Sequence, residues 1–202
     1  MSATADYNAI LKQVRTRAPG VLDDVIMLEL QFVVEGFLDE SNVWVDPIPL
    51  ATTANVTDYP IESEFGSVNR LLNVVNENGS PVAASLLEPP NDEDLYVVRL
   101  AVAPSTSGDL TANVSLTPDS ALPVADSVPD WMWVRYRSGF IDGVLGRLFS
   151  QPAKPYTNGT LAVVHSNRFR SAASKAKREM LNRNRFRGQG WAFPQSFATT
   201  RR

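Results

Sequence analysis

The sequence predicts an α+β protein in which helices at both ends enclose an antiparallel β module. Three observations predict it. Apolar residues recur every three to four positions near the start and again after residue 129. Between those regions the period changes to two, most clearly in GDLTANVSLTP (108–118). Asn78-Gly79 separates two strand-like runs, a hairpin signal because both residues tolerate positive φ. Helices first, strands next and helices last assign a discontinuous helical bundle to residues 1–41 and 119–182. The inserted β module then takes 42–118, and 183–202 forms an extended, basic and aromatic C-terminal arm.

The elements follow in order. ADYNAILKQVRTR (5–17) reads as a short helix stopped by Ala18-Pro19-Gly20. A second helix over 21–38 gathers Leu22, Val25, Ile26, Leu30, Val33, Val34 and Phe37 on one face, with Asp23 and Asp24 at its positive end. Residues 42–61 are strand-like but broken by prolines. SVNRLLNVV (67–75) and PVAASLL (81–87) should pair across Asn78-Gly79, and DLYVVRLAVAP (94–104) should pair with 108–118. In that last strand Leu110, Ala112, Val114 and Leu116 face inward, leaving Thr111, Asn113 and Ser115 on a wet face.

Pro129 suits a first helical turn, and one helix is expected from there to about residue 150. Its apolar face comprises Trp133, Tyr136, Phe140, Ile141, Val144, Leu145 and Leu148. Gly139, Gly143 and Gly146 each cost about 1 kcal/mol of helix propensity against Ala; two of them one turn apart would admit a neighbouring helix closely. Asn158 is a good N-cap for a last helix over 160–182, whose apolar side is Leu161, Val164, Phe169, Ala172, Ala173, Ala176 and Met180.

Composition narrows the function. The chain has 202 residues, 44% hydrophobic and 20% charged, with no run approaching the roughly 20 apolar residues of a membrane helix. MSATADYNAIL lacks the basic and apolar regions of a signal peptide, which with the absence of cysteine predicts synthesis in a reducing cytoplasm. Without cysteine there is no disulfide, thiol nucleophile or thiolate metal site. Four Asn-x-Ser/Thr matches, at Asn55, Asn78, Asn113 and Asn158, carry no weight in that context. No nucleophile elbow, phosphate loop, dinucleotide fingerprint or zinc-protease motif is present. The single histidine, His165, sits among apolar residues on a helix and reads as structural. The acidic stretches NDED (91–94) and IESE (61–64) read as solvated loops, and Asp92–Asp94 lacks the glycine and distal Glu of a calcium loop. No catalytic residue, cofactor or metal site is expected, and the chain reads as a non-enzyme.

Charge is more informative. Residues 1–150 hold 8 Lys and Arg against 21 Asp and Glu, a net of −13, whereas 151–202 hold 11 against 1, a net of +10. Opposite signs in the two parts point to head-to-tail association with a like copy, to nucleic acid, or to an acidic partner. Arg168, Arg170, Lys175, Lys177, Arg178, Arg183, Arg185 and Arg187 are the candidate contacts to DNA or to that acidic partner. Phe186 and Trp191 could stack on bases, yet no recognised nucleic-acid-binding motif accompanies them. The arm's rings, Phe186, Trp191, Phe193 and Phe197, offer about 600–1,000 Å². That matches one side of a standard interface, about 800 Å². Fully extended, such an arm reaches up to about 65 Å. It is read as a segment that orders on a protein partner.

The stretch WMWVRYRSGFIDGVLGRLFSQPAKPYTNGTLAVVHSNRFRSAASKAKREM carries an aromatic-led helix, then Leu148 and the run Gln151-Pro152-Ala153-Lys154-Pro155-Tyr156, then a helix of alternating basic and Ala positions. With YPIESEFGSVNRLLNVVNENGSPV and LYVVRLAVAP before it, this pattern resembles the head-to-tail adaptor proteins of short-tailed bacteriophages, over residues 20–182. The resemblance implies a helical bundle with an inserted β domain. It also implies a twelvefold ring of identical subunits under the portal protein, joining the capsid to the tail nozzle proteins around the DNA channel. The protein would then belong to the virion's head–tail junction, after assembly in the host cytoplasm. By the same resemblance the arm grips the portal through Phe186, Trp191, Phe193 and Phe197, with Arg201 and Arg202 near an acidic portal surface, and the β module faces tail proteins or neighbouring subunits. Two alternatives remain: a nucleic-acid-binding module using the basic C-terminal helix, and a tail-associated peptidoglycan hydrolase using Glu62 and Glu64.

Overall fold

The structure, a computed structural model, describes residues 3–89, 95–119 and 122–184. It is α+β, as the sequence predicts. Two helices, α1 (Ala3–Arg17) and α2 (Asp23–Ser41), precede strands β1 (Val45–Thr52), β2 (Asp58–Ile61), β3 (Ser67–Asn76), β4 (Pro81–Val82), β5 (Ala84–Leu87), β6 (Tyr96–Leu100) and β7 (Gly108–Thr117). Helices α3 (Val124–Ser127), α4 (Asp130–Arg135), α5 (Arg137–Ser150) and α6 (Gly159–Asn184) follow. The strands form two antiparallel sheets, ordered β1-β7-β3-β4 and β2-β6-β5. One contiguous apolar core runs from the helices into both sheets.

The prolines that interrupt 42–61 fall where a strand tolerates them. Pro47 and Pro49 lie in β1 and Pro60 in β2, and each of these strands is the edge of its sheet. There a missing N–H costs no ladder bond on the solvent side. The β3–β4 hairpin forms at the expected turn, but only Gly79 takes positive φ, at 75°. Asn76 holds the turn: its Oδ1 accepts from the Asn78 and Ser80 amides at 3.1 and 2.9 Å.

The expected pairing of 94–104 with 108–118 does not occur. β6 sits in the small sheet between β2 and β5, and β7 lies in the other sheet between β1 and β3. The backbone beyond β6 is engaged elsewhere: the Ala101 amide donates to Ala83 O, and Pro104 O accepts from the Asn55 amide, both at 2.9 Å. The wet face expected of β7 is also only partly wet. Ser115 is fully buried and Asn113 donates to Asn73 Oδ1 across the sheet at 2.7 Å, while α2 packs across this strand.

The single helix expected from Pro129 is two, broken at Tyr136, whose φ and ψ of −108° and 15° leave the helical range. The break turns aromatic rings inward from both pieces. Phe37 of α2 meets Tyr136 at 4.9 Å and Phe140 at 5.2 Å, and Trp133 meets Phe140 at 5.5 Å between ring centroids. The two pairs made by Phe140 are edge-to-face, an arrangement that adds about 0.5–1.5 kcal/mol beyond area burial. α5 is the central helix, touching α1, α2, α4 and α6.

The α5 glycines set its distance from α6. A Cβ on Gly139 would lie 3.1 Å from Ala172 Cβ, and one on Gly146 would lie 2.7 Å from Ser166 Oγ and 3.1 Å from the Ser166 amide nitrogen. On Gly143 it would lie 2.5 Å from Val33 Cγ1 and 2.8 Å from the Phe169 ring. The connection between the two helices is tied to α2. Glu29 accepts from the Arg147 guanidinium and, at 2.8 Å, from Gln151 Nε2, while Tyr156 donates to Gln151 Oε1 at 2.9 Å. The Gln151–Tyr156 run thus closes a turn onto α2. Asn158 caps α6 as expected, accepting from the Leu161 amide at 3.0 Å.

Gly143→Ala should destabilise the fold by about 1–3 kcal/mol through overpacking. Gly36→Ala, on α2 where an added Cβ meets nothing within 4 Å, should stabilise it by up to about 1 kcal/mol. Urea titration of both variants checks the opposite signs. Burial, with Asp126 and Asp23 nearby, raises the Tyr7 phenol above its ordinary 10.0. The folded state therefore keeps a proton that the unfolded chain releases, and stability falls as pH rises past about 10. Tyr7→Phe should flatten that alkaline loss, measured as midpoint against pH.

Candidate interaction surface

α6 builds the candidate surface. Its inner side against α5 and α2 carries Ala162, His165, Ala173, Ala176 and Met180, all buried, with Phe169 and Ala172 half-buried. The helix is therefore rotated from the sequence expectation at its start. Leu161 and Val164 are exposed, and Ala162 and His165 take the inner positions. α5 lies close by: α6 sets Ala172 opposite Gly139, the Phe169 ring opposite Gly143 and Ser166 opposite Gly146.

His165 occupies the core side. Its Nδ1 lies 2.6 Å from Asp142 Oδ1 on α5, with both side chains largely buried, and its ring lies 5.6 Å from that of Phe149. Asp142 therefore fixes which ring nitrogen faces the carboxylate. That partner is not visible in the sequence, because it sits 23 positions away on another helix.

The outer side carries the charge. Arg168, Arg170, Lys175, Lys177 and Arg178 are all exposed, and none forms an ion pair among the described residues. Glu179 is bound by Arg135 of α4 at 2.7 Å, and its carboxylate holds that guanidinium above its ordinary value. The pair ties α4 to α6. These like charges, spread around the exposed side of α6, repel one another and attract an anionic surface over a Debye length of roughly 10 Å at 0.1 M salt. Arg183 falls in the last turn of α6, which continues two residues past the expected boundary, to Asn184. Arg185, Phe186, Arg187, Trp191, Phe193, Phe197, Arg201 and Arg202 lie outside the described residues, as does the acidic stretch 91–94.

Glu62 and Glu64 lie in the turn between β2 and β3. They line a cavity of about 470 Å³ with Asp119 and Asp126, and among the described residues no Lys, Arg or His lines it. Phe65, Leu95 and Leu122 share this lining and are 64%, 46% and 50% exposed. The groove was not expected from the sequence; the spacing of IESE gave no sign that α3 and β6 would close around it. Among the described residues no three His, Asp or Glu side chains are grouped to hold a metal ion, and no helix is long and apolar enough to cross a membrane.

No protein-family model matches the chain, and no curated protein matches it. Function therefore rests on the surface itself.

Breaking the Asp142–His165 pair should cost about 1–3 kcal/mol, because Asp142→Ala leaves a buried imidazole without its partner. Thermal unfolding of Asp142→Ala beside Asp142→Asn, which keeps an acceptor, should show the larger loss in the alanine variant.

Proposed function

We propose that this chain is a structural head-to-tail adaptor of a short-tailed phage. In this reading identical subunits form a ring beneath the portal and join capsid to tail around the DNA channel. The observation that carries the reading is the outer face of α6: five exposed cations without carboxylate partners among the described residues, at the base of a basic and aromatic segment. A helix face of this kind is held ready for an external acidic surface. Phe186, Trp191, Phe193 and Phe197 are the anchors by which the segment would bind the portal, with Arg201 and Arg202 against its acidic groups. The β module would meet tail proteins.

A second reading has the same face in its favour: binding to nucleic acid through phosphate contacts. It requires affinity to fall with salt at a log–log slope of about −0.9 per phosphate neutralised. Protein docking through aromatic anchors has a much weaker salt dependence.

Native mass spectrometry of the full chain and of residues 1–184, each with and without the portal ring, tests the proposal. A closed ring on the portal that needs residues 185–202 supports it. Trp191→Ala should weaken portal attachment by about 2 kcal/mol, as loss of an aromatic anchor does, while circular dichroism of the free chain stays unchanged. Unaltered attachment in that variant would remove the arm from the mechanism. A chain indifferent to the portal at every salt concentration, but binding duplex DNA, would favour the second reading.

A further inference from the structure

The groove at the junction of sheet and helices has chemistry that constrains its occupant. Its floor and rim bring together the β2–β3 turn (Glu62, Glu64, Phe65), the residue before β6 (Leu95), the approach to α3 (Asp119) and α3 itself (Asp126). An occupant that is only apolar would strip water from those carboxylates without replacing it, a costly exchange. One that is only cationic would leave Phe65, Leu95 and Leu122 facing water or an unmatched charge. What fits has an apolar ridge and cations on the same rigid face.

α6 presents such a face. Leu161, Val164, Arg168, Lys175 and Arg178 follow one another at spacings of three, four, seven and three, so they share one stripe of the helix. Leu161 is 40% and Val164 39% exposed, and the three bases are exposed beyond them. The stripe cannot reach the groove of its own chain, because the opposite side of α6 is packed against Gly139, Gly143 and Gly146 of α5. Turning it inward would dissolve that core.

We propose that the outer face of α6 docks in the acidic, apolar groove of a second copy of this chain. The contact rests on the ring reading above and supplies its subunit–subunit joint. Helix face and groove are different surfaces, so the contact is heterologous and propagates head to tail until a ring closes. Leu161 and Val164 cover Phe65 and Leu122, and Arg168, Lys175 and Arg178 meet the carboxylates of Glu62, Glu64 and Asp126.

The chain has no cysteine, which permits a direct test by disulfide trapping in the full-length protein. Disulfides form only where Cα atoms come within about 7 Å. A Phe65→Cys chain is mixed with a Val164→Cys chain, with and without the portal ring, and oxidised with copper–phenanthroline. The mixed dimer should form far faster than either self-dimer and faster than a Glu77→Cys and Val164→Cys control. One chain carrying both cysteines should give a ladder of dimers, trimers and higher species. Arg168→Glu with Lys175→Glu in the Val164→Cys chain should abolish trapping, and Glu62→Lys with Glu64→Lys in the partner should restore it. These residues are on the surface, and unchanged circular dichroism confirms that each variant folds. Trapping no faster than the control, or no rescue by the paired reversals, overturns the proposal. So does preferential trapping of Phe65→Cys by Trp191→Cys, which would make the C-terminal segment the occupant. A ring on the portal without this cross-link removes the contact and leaves the adaptor reading standing. The cross-link without any portal engagement does the reverse.

Discussion

The close approach of α5 and α6 governs the rest of the molecule. With no side chain at Gly139, Gly143 or Gly146, the helices meet closely, and a Cβ at Gly146 would lie 2.7 Å from Ser166 Oγ and 3.1 Å from its amide nitrogen. That approach filters which residues α6 turns inward. Ser166, Ala172, Ala173 and Ala176 fit there, and the one large polar side chain admitted, His165, is matched by Asp142. Everything branched or charged is displaced outward. The exposed face of α6 is thus partly a consequence of how tightly its other face is held. The glycines weaken α5 as an isolated helix by about 1 kcal/mol each, and packing on four neighbouring helices offsets that cost.

The same approach fixes α2. Phe37 and Val33 reach the α5–α6 seam from the third side, and Glu29 closes its end by accepting from both Arg147 and Gln151. Gln151 in turn accepts from Tyr156, so the turn between α5 and α6 is anchored to α2 rather than left to its prolines. At the other end Trp44 runs from α2 into the sheets, its ring 2.9 Å from where a Cβ on Gly66 would stand, at the margin of the acidic groove. The groove is consequently held by core contacts and not by surface loops alone.

Much of this was legible in the sequence, and the failures share a cause. Periodicity located α2, α5 and α6, and Asn78-Gly79 located the β3–β4 turn, because each signal is local. The pairing of β6 was missed because nothing within 94–118 records that Asn55 and Ala83 compete for its flanking backbone. The break at Tyr136 was missed because apolar spacing runs through it unchanged. The outward rotation of Leu161 and Val164 reversed hydrophobicity order: Ala162 is less apolar than either, and its smallness decided. Arg168, Arg170, Lys175, Lys177 and Arg178 are all exposed, since none of them can enter the seam against α5. The groove around Glu62 and Glu64 is assembled from segments more than 60 residues apart in sequence, and no local spacing could announce it.

The arrangement of charge along α6 bears on what the surface is for. Like charges three and four apart weaken a helix by a few tenths of a kcal/mol per pair, so an array containing Lys175 and Arg178 has a standing cost. A solvated surface would remove it more simply by mixing in acids, and Glu179 is the one acid in residues 151–202. Phosphate binding alone would account for the bases but not for Leu161, Val163 and Val164, which a DNA backbone would leave in water. A partner that is both acidic and apolar accounts for both halves of the helix, and the groove on the same chain has that composition.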